Sequence, residues 1–318
     1  MDNLYYEKDI LGDRFKALTL EFPDDYEGKV IATLIKRESE IQTTKAILYI
    51  HGFNDYYFQK ELALWFNANH FDFYAIDLRK YGRSWLPHQK LNNVRNLKEY
   101  DAEIRKSIQI MLQEDHDEII MMGHSTGGLI LTNFVSRYNN PAIKGIILNS
   151  PFYDFNLNGW VKHIAIPLGD KLGTLFPNIK TGGGFNELYG KGLHKDYEGE
   201  WKYNLIWKPN VPPKVNLGFI HAIKSAQDEV RKGIESPYPF LIMHADKSTY
   251  PKEMNQDVFT SDIILNVAHI KEGGENIQGS LKDVPIKDGI HDLILSRKKV
   301  REKVYETMGD FLKTQGLI

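Results

Sequence analysis

Two patterns of apolar residues alternate along the first half of the chain. Short continuous runs have the length of buried strands, and longer stretches carry apolar residues at helical spacing. Arg14 to Phe22 and Lys29 to Lys36 alternate or nearly alternate, with Pro23-Asp24-Asp25 and Gly28 between them, which predicts a leading antiparallel hairpin. Lys45 to Ile50 (KAILYI), Phe71 to Ile76, Ile119 to Met122 and Lys144 to Leu148 read as strands covered on both faces. Helices are predicted from about Phe58 to Asn69, with Leu62, Leu64, Trp65 and Phe66 inward, and over Leu97 to Leu112. This rhythm of strand and helix implies a mostly parallel central sheet covered by helices, an α/β class, with ligands at the carboxyl ends of the strands.

The rhythm stops after Ser150-Pro151 and returns at Pro239 to Met243 (PFLIM). A last short strand over Leu281 to Ile286 and a terminal helix over Ser296 to Leu312 complete it. Residues 1–150 and 238–318 are therefore expected to form the core, and 151–237 an inserted cap, or lid, over the sheet's end. That stretch holds Trp160, Trp201, Trp207 and the glycines 182 to 184, and regains helical periodicity from Asn216 to Arg231. Its apolar residues Trp160, Val161, Ile164, Ile166, Leu168, Leu172 and Leu175 suit either the lining of an acyl pocket or the cap's own interior.

Composition narrows the function more than it directs it. The 318 residues carry 40 Lys and Arg against 42 Asp and Glu, so no basic footprint points to nucleic acid. With no cysteine there is neither a disulfide, a thiolate metal site nor a cysteine nucleophile. The opening MDNLYYEKDI has no basic and apolar leader pattern, and no run approaches 18 apolar residues. A cytoplasmic protein without an integral membrane segment is expected.

Chemistry concentrates in Glu118 to Ser136, EIIMMGHSTGGLILTNFVS. A strand, a glycine turn and a helix follow one another, as the G-x-S-x-G nucleophile elbow requires, with Ser125 at the apex and Gly123 and Gly127 where side chains would collide. A serine hydroxyl needs a base in reach. His291, in Asp288-Gly289-Ile290-His291-Asp292, follows the last strand at the same end of the sheet and comes after the serine in chain order. His51 fits better in the loop His51-Gly52-Phe53-Asn54, and His70, His88, His116 and His194 default to the surface. Two aspartates compete to orient the base. Asp246 directly follows a strand, whereas Asp262 stands 29 residues before His291, close to the roughly 30 residues of a strand–crossover–strand unit. The count favours Asp262. Oxyanion donors are expected at the backbone N–H of Thr126, which begins a helix, and of Phe53, after Gly52. Asn54, Tyr56, His124 and Trp160 are candidates for the substrate pocket.

YIHGFNDYYFQ, DLRKYGRS, GHSTGG and GIHDLILS, in this order, resemble the α/β-hydrolase superfamily, and within it the monoglyceride-lipase-like, lysophospholipase or serine-aminopeptidase-like group. The resemblance covers Lys45 to Ser150 and Pro239 onward. It implies Ser125 as nucleophile, His291 as base, and Phe53 and Thr126 as oxyanion hole. It also favours Asp262, although Asp246-Lys247-Ser248 keeps an aspartate where the usual pattern puts the acid. The activity implied is a serine carboxylic-ester hydrolase acting on a small-molecule acyl ester, such as a monoacylglycerol or lysophospholipid, through an acyl-enzyme and without metal or organic cofactor. Two alternatives remain open. An aminopeptidase of the proline-iminopeptidase type would hold a free amine on an anionic patch such as Glu187, Asp196, Glu198 and Glu200. A non-catalytic ligand-binding homologue would keep the pocket alone.

Overall fold

The computed structural model describes residues 4–157, 159–181 and 186–318, so the glycines 182 to 184 lie outside the described residues. The short strand β1 (Glu7–Lys8) edges a hairpin of β2 (Lys16–Asp25) and β3 (Gly28–Arg37), in which Leu18 faces Leu34 and Leu20 faces Ala32. Gly28, at φ 90°, makes the turn that an L side chain would resist. The alternating part follows as β4 (Lys45–Ile50), α1 (Lys60–Ala68), β5 (Asp72–Asp77), α2 (Asp101–Gln113), β6 (Glu118–His124), α3 (Thr126–Arg137) and β7 (Ile143–Asn149). After it come α4 (Ile166–Leu175), α5 (Leu188–Leu193), α6 (Leu217–Arg231), β8 (Ile234–Glu235) and β9 (Phe240–Ala245). The chain ends with α7 (Val267–Gly274), β10 (Ile277–Gln278), β11 (Leu281–Ile286) and α8 (Lys298–Thr314).

Among the described residues nine strands form one sheet in the order β1-β2-β3-β5-β4-β6-β7-β9-β11, and every pairing from β5 to β11 is parallel. Neighbouring residues of one strand feed different cores. Leu48 and Ile50 enter a cluster with Ile104, Met121 and Phe134, whereas Ile47 and Tyr49 enter another with Phe66, Met122 and Phe311. A strand buried on both faces has no polar side to show, which is why its sequence is an unbroken apolar run. Each such side chain taken fully out of water contributes about 1.5–3 kcal/mol.

Helix limits differ from the periodicity at their ends. The first begins at Lys60, because the N–H groups of Tyr57 and Phe58 donate to the side-chain oxygens of Asp77 and Gln59. Leu97–Tyr100 is a 3-10 turn, closed by a capping box between Asn96 and Glu99, before α2 proper. His116 and His194 are buried rather than superficial. His116 Nε2 meets the Tyr74 hydroxyl at 2.9 Å, and His194 bonds the Tyr203 carbonyl and the Asp196 N–H.

A π turn over Val161–Ala165 leads into α4. Gly169 and Gly173 let α4 lie close on α6, since a Cβ at Gly173 would strike the Leu217 carbonyl. In turn α6 packs on α3, where Asn133 Nδ2 donates to the Ala226 carbonyl at 3.1 Å. With that face occupied, the opposite stripe of Trp160, Ile164, Leu168, Leu172 and Leu175 points outward and is 37 to 72% exposed. Exposed in this way, these residues neither line the cavity beside Ser125 nor build the cap's interior, contrary to both expectations for them, while Ile166 is buried. No helix among the described residues is long and apolar enough to cross a membrane.

Candidate active site

Ser125 directly follows β6 and precedes α3, at φ 52° and ψ −115°, a conformation that costs a non-glycine residue about 1–3 kcal/mol. Its surroundings enforce it. The Ser125 N–H donates to the Asn149 carbonyl at 2.9 Å, and its own carbonyl accepts from Phe152 N–H at 3.0 Å and Leu129 N–H at 3.1 Å. A Cβ on Gly123 would sit 2.6 Å from the Gly127 carbonyl oxygen, and one on Gly127 would overlap the carbonyls of Ile50 and His51. Gly52 brings the neighbouring loop equally close, 3.0 Å from its Cβ position to Ser125 Cβ.

His291 follows β11 and faces this turn. Its Nε2 lies 3.0 Å from Ser125 Oγ, placed to accept the hydroxyl proton, and its Nδ1 lies 2.8 Å from Asp262 Oδ2. The other oxygen of Asp262 accepts from the N–H groups of Ile264 at 2.8 Å and Leu265 at 2.7 Å, and the residue is fully buried. Asp246 is exposed and accepts from the Asp288 N–H at 3.1 Å. Of the two aspartates, the structure brings Asp262 to the histidine.

Phe53 and Thr126 line the cavity in front of Ser125, a space of about 80 Å³. Asn54 and His124 line it too, whereas Tyr56 and Trp160 do not. Tyr56 turns into an aromatic group with Phe58 and Trp207, its hydroxyl accepting from Asn204 N–H at 2.7 Å. His51 Nε2 accepts from Leu78 N–H at 3.1 Å and its Nδ1 bonds the Gly52 carbonyl at 2.8 Å, so it anchors the loop before Phe53. Burial lowers the pKa of His51 and of His124, which keeps both rings neutral near pH 7.

Several residues without a sequence signal join the site. Asn149, at the end of β7, donates to Asp292 Oδ1 at 2.7 Å and accepts from Leu293 N–H, tying the histidine loop to the serine turn. Asp292 N–H donates to the Tyr189 hydroxyl at 3.0 Å. Lys208 reaches in from the segment between α5 and α6 and pairs with Asp55 at 2.8 Å, both nearly without solvent. A partner lost from such a pair strands a buried charge, at about 3–5 kcal/mol. Lys208→Met is therefore expected to lower the urea-unfolding free energy by that amount, with most of it regained in Lys208→Met/Asp55→Asn. Asp55, His124 and Asp292 bring ligand-type atoms within 4.8 Å of one another, but Asp55 is already neutralised by Lys208. The opposite wall is apolar, with Phe152, Phe219, Ile264 and Leu265. None of Glu187, Asp196, Glu198 and Glu200 lines the cavity, and Glu187 and Glu200 pair with Lys191 and Arg301.

A serine on a strained strand-to-helix turn, at the carboxyl end of a largely parallel sheet and bonded through histidine to a buried carboxylate, defines a member of the α/β-hydrolase superfamily. Within it, the chain belongs to the Hydrolase_4 family, serine aminopeptidase S33, which matches residues 41–269. Phospholipase YtpA of Bacillus subtilis (strain 168) is 28% identical over 143 residues, which span 44% of this chain and 52% of that protein. Among solved structures, a soluble variant of the monoglyceride lipase of Saccharomyces cerevisiae, in complex with a substrate analog, aligns with TM-score 0.64 at 18% identity, over 98% of this chain and 94% of that one. The monoacylglycerol lipase of Paleococcus ferrophilus aligns with TM-score 0.64 at 15% identity, over 94% and 99%. Est1E from Butyrivibrio proteoclasticus gives 0.55 at 17% identity, over 93% and 98%. At these identities the likeness is one of fold.

Proposed function

We propose that the chain is a serine carboxylic-ester hydrolase. The observation that carries this reading is the relay from Ser125 Oγ through His291 to Asp262, with links of 3.0 and 2.8 Å. As Ser125 Oγ attacks the acyl carbon, His291 Nε2 takes its proton, and Asp262 holds Nδ1–H and stabilises the imidazolium. The carbonyl oxygen becomes an oxyanion held by the N–H groups of Phe53 and Thr126, each worth about 3 kcal/mol in the transition state. His291 then gives the proton to the leaving alcohol, and the acyl-enzyme is released by water deprotonated at the same nitrogen.

The cavity supports an amphipathic substrate, since Phe152, Phe219, Ile264 and Leu265 oppose Asn54, Asp55 and Lys208. In this reading residues 151–237 act as the cap, and the outward stripe from Trp160 to Leu175 faces an apolar phase in which a monoacylglycerol or lysophospholipid would be dispersed. Against an aminopeptidase reading, the carboxylate that lines the cavity among the described residues, Asp55, is bound to Lys208 rather than free for an amine.

The test is reaction with a fluorophosphonate, mapped to its peptide, followed by p-nitrophenyl esters from acetate to laurate and an aminoacyl amide. A single adduct on Ser125 with ester turnover and no amide turnover is expected. Amide turnover without ester turnover would favour the peptidase, and no adduct on folded protein would favour a binding protein.

A further inference from the structure

The rings of Phe53 and Phe219 stand 4.9 Å apart between the catalytic cavity and a second one of about 230 Å³, and both rings line both spaces. The second cavity is chemically unlike the first. Its lining carries Lys90, Lys180 and Lys214 and, among the described residues, no carboxylate. In a chain with 40 basic and 42 acidic residues, such a grouping is a local concentration of positive charge. Among the described residues none of the three lysines has an ion pair, and Lys90 makes only a long contact, 3.4 Å, to Asn178 Oδ1.

Asn92 and Asn93 add buried polarity to the same wall, at 3% and 5% exposure. The Nδ2 groups of both are without hydrogen-bond partners, as is Asn92 Oδ1, although Asn93 Oδ1 accepts from Asn216 Nδ2 at 2.7 Å. Buried amide donors are seldom left unpaired. Two of them beside three ammonium groups without an ion pair among the described residues call for a ligand rich in acceptors.

We propose that this cavity binds an oxyanion, a phosphate or carboxylate group, whose oxygens accept from the lysines and from the Nδ2 groups of Asn92 and Asn93. A hydroxyl next to the anion would donate to Asn92 Oδ1. Two sources have this chemistry: the alcohol part of an ester whose acyl group lies at Ser125, or a free small anion. The first source rests on the ester-hydrolase reading, and the binding itself does not.

The experiment titrates inorganic phosphate, glycerol 3-phosphate and glycerol into the wild-type protein by calorimetry at low salt, and repeats it on Lys90→Ala/Lys180→Ala/Lys214→Ala. These lysines are exposed, so the variant should fold, which circular dichroism checks. Both phosphates should bind and glycerol should not, and the triple variant should weaken binding at least about 10-fold, because charge-assisted hydrogen bonds are lost. Hydrolysis of a monoacylglycerol and its 3-phosphate, of one chain length, separates the sources. A KM raised about 10-fold for the phosphate ester alone identifies a headgroup site; equal effects on both esters identify a free anion. Anion binding without turnover of any ester would sink the hydrolase reading and leave this one standing. No phosphate binding to wild type, or equal binding to the folded triple variant, overturns the proposal.

Discussion

Ser125→Ala is expected to hydrolyse a p-nitrophenyl ester about 10⁶-fold more slowly than the wild type, the size of effect found when a triad serine or histidine is removed. The change deletes one buried oxygen and leaves the φ 52° backbone, its carbonyl bonds and both flanking glycines in place, so stability should move little. His291→Ala should be equally crippled, and the double variant no worse than either, because the two act as one unit. Rates measured on protein of verified folded fraction, together with loss of the fluorophosphonate adduct, check this. A residual rate within about 100-fold of wild type would place the nucleophile elsewhere, since that is far short of the loss expected of a triad serine.

The second large effect separates the two aspartates. Asp262→Asn should lower turnover by about 10⁴-fold, because the amide no longer fixes the Nδ1–H tautomer or balances the imidazolium that forms during attack. Asp246→Asn should change it by less than about 10-fold, since its oxygen accepts only a loop N–H on an exposed turn and surface changes are usually small. The contrast matters more than either value. A crippled Asp246→Asn beside an active Asp262→Asn would mean that the relay rearranges in the working enzyme.

What was legible in the sequence was whatever the sheet itself dictates. Strands covered on both faces must be apolar throughout, so KAILYI and PFLIM declare themselves, and the elbow glycines mark where backbones touch. Asp262, which lies against His291, could be favoured over Asp246 by counting, because a strand–crossover–strand unit takes roughly 30 residues. The segment after β7 was less readable. Apolar content places Trp160, Ile164 and Leu168 on one helix face but cannot say whether that face looks inward, and here glycines on the other face decide it. Lys208 meets Asp55 across 153 residues, with no local pattern to announce the pair. His116 and His194 look like surface residues for the same reason, since their burial depends on Tyr74 and Tyr203, which lie outside any motif.

The order of strands has a consequence for how the protein comes into being. The turn that carries Ser125 is built from β6 and α3, close together in the chain, and is fastened by β4's end and by Asn149 and Phe152, all within about the first half of the sequence. His291 arrives from 166 residues away, on a loop held by β11, which among the described residues pairs with β9 alone, and β9 in turn waits for the long excursion after β7 to close on the sheet. Contacts of such high sequence separation are slow to form, because the chain entropy must be lost before the pairing compensates for it. A newly made chain is thus expected to form the strained serine turn before His291 reaches it, so that the Ser125–His291 contact is among the last that folding confers.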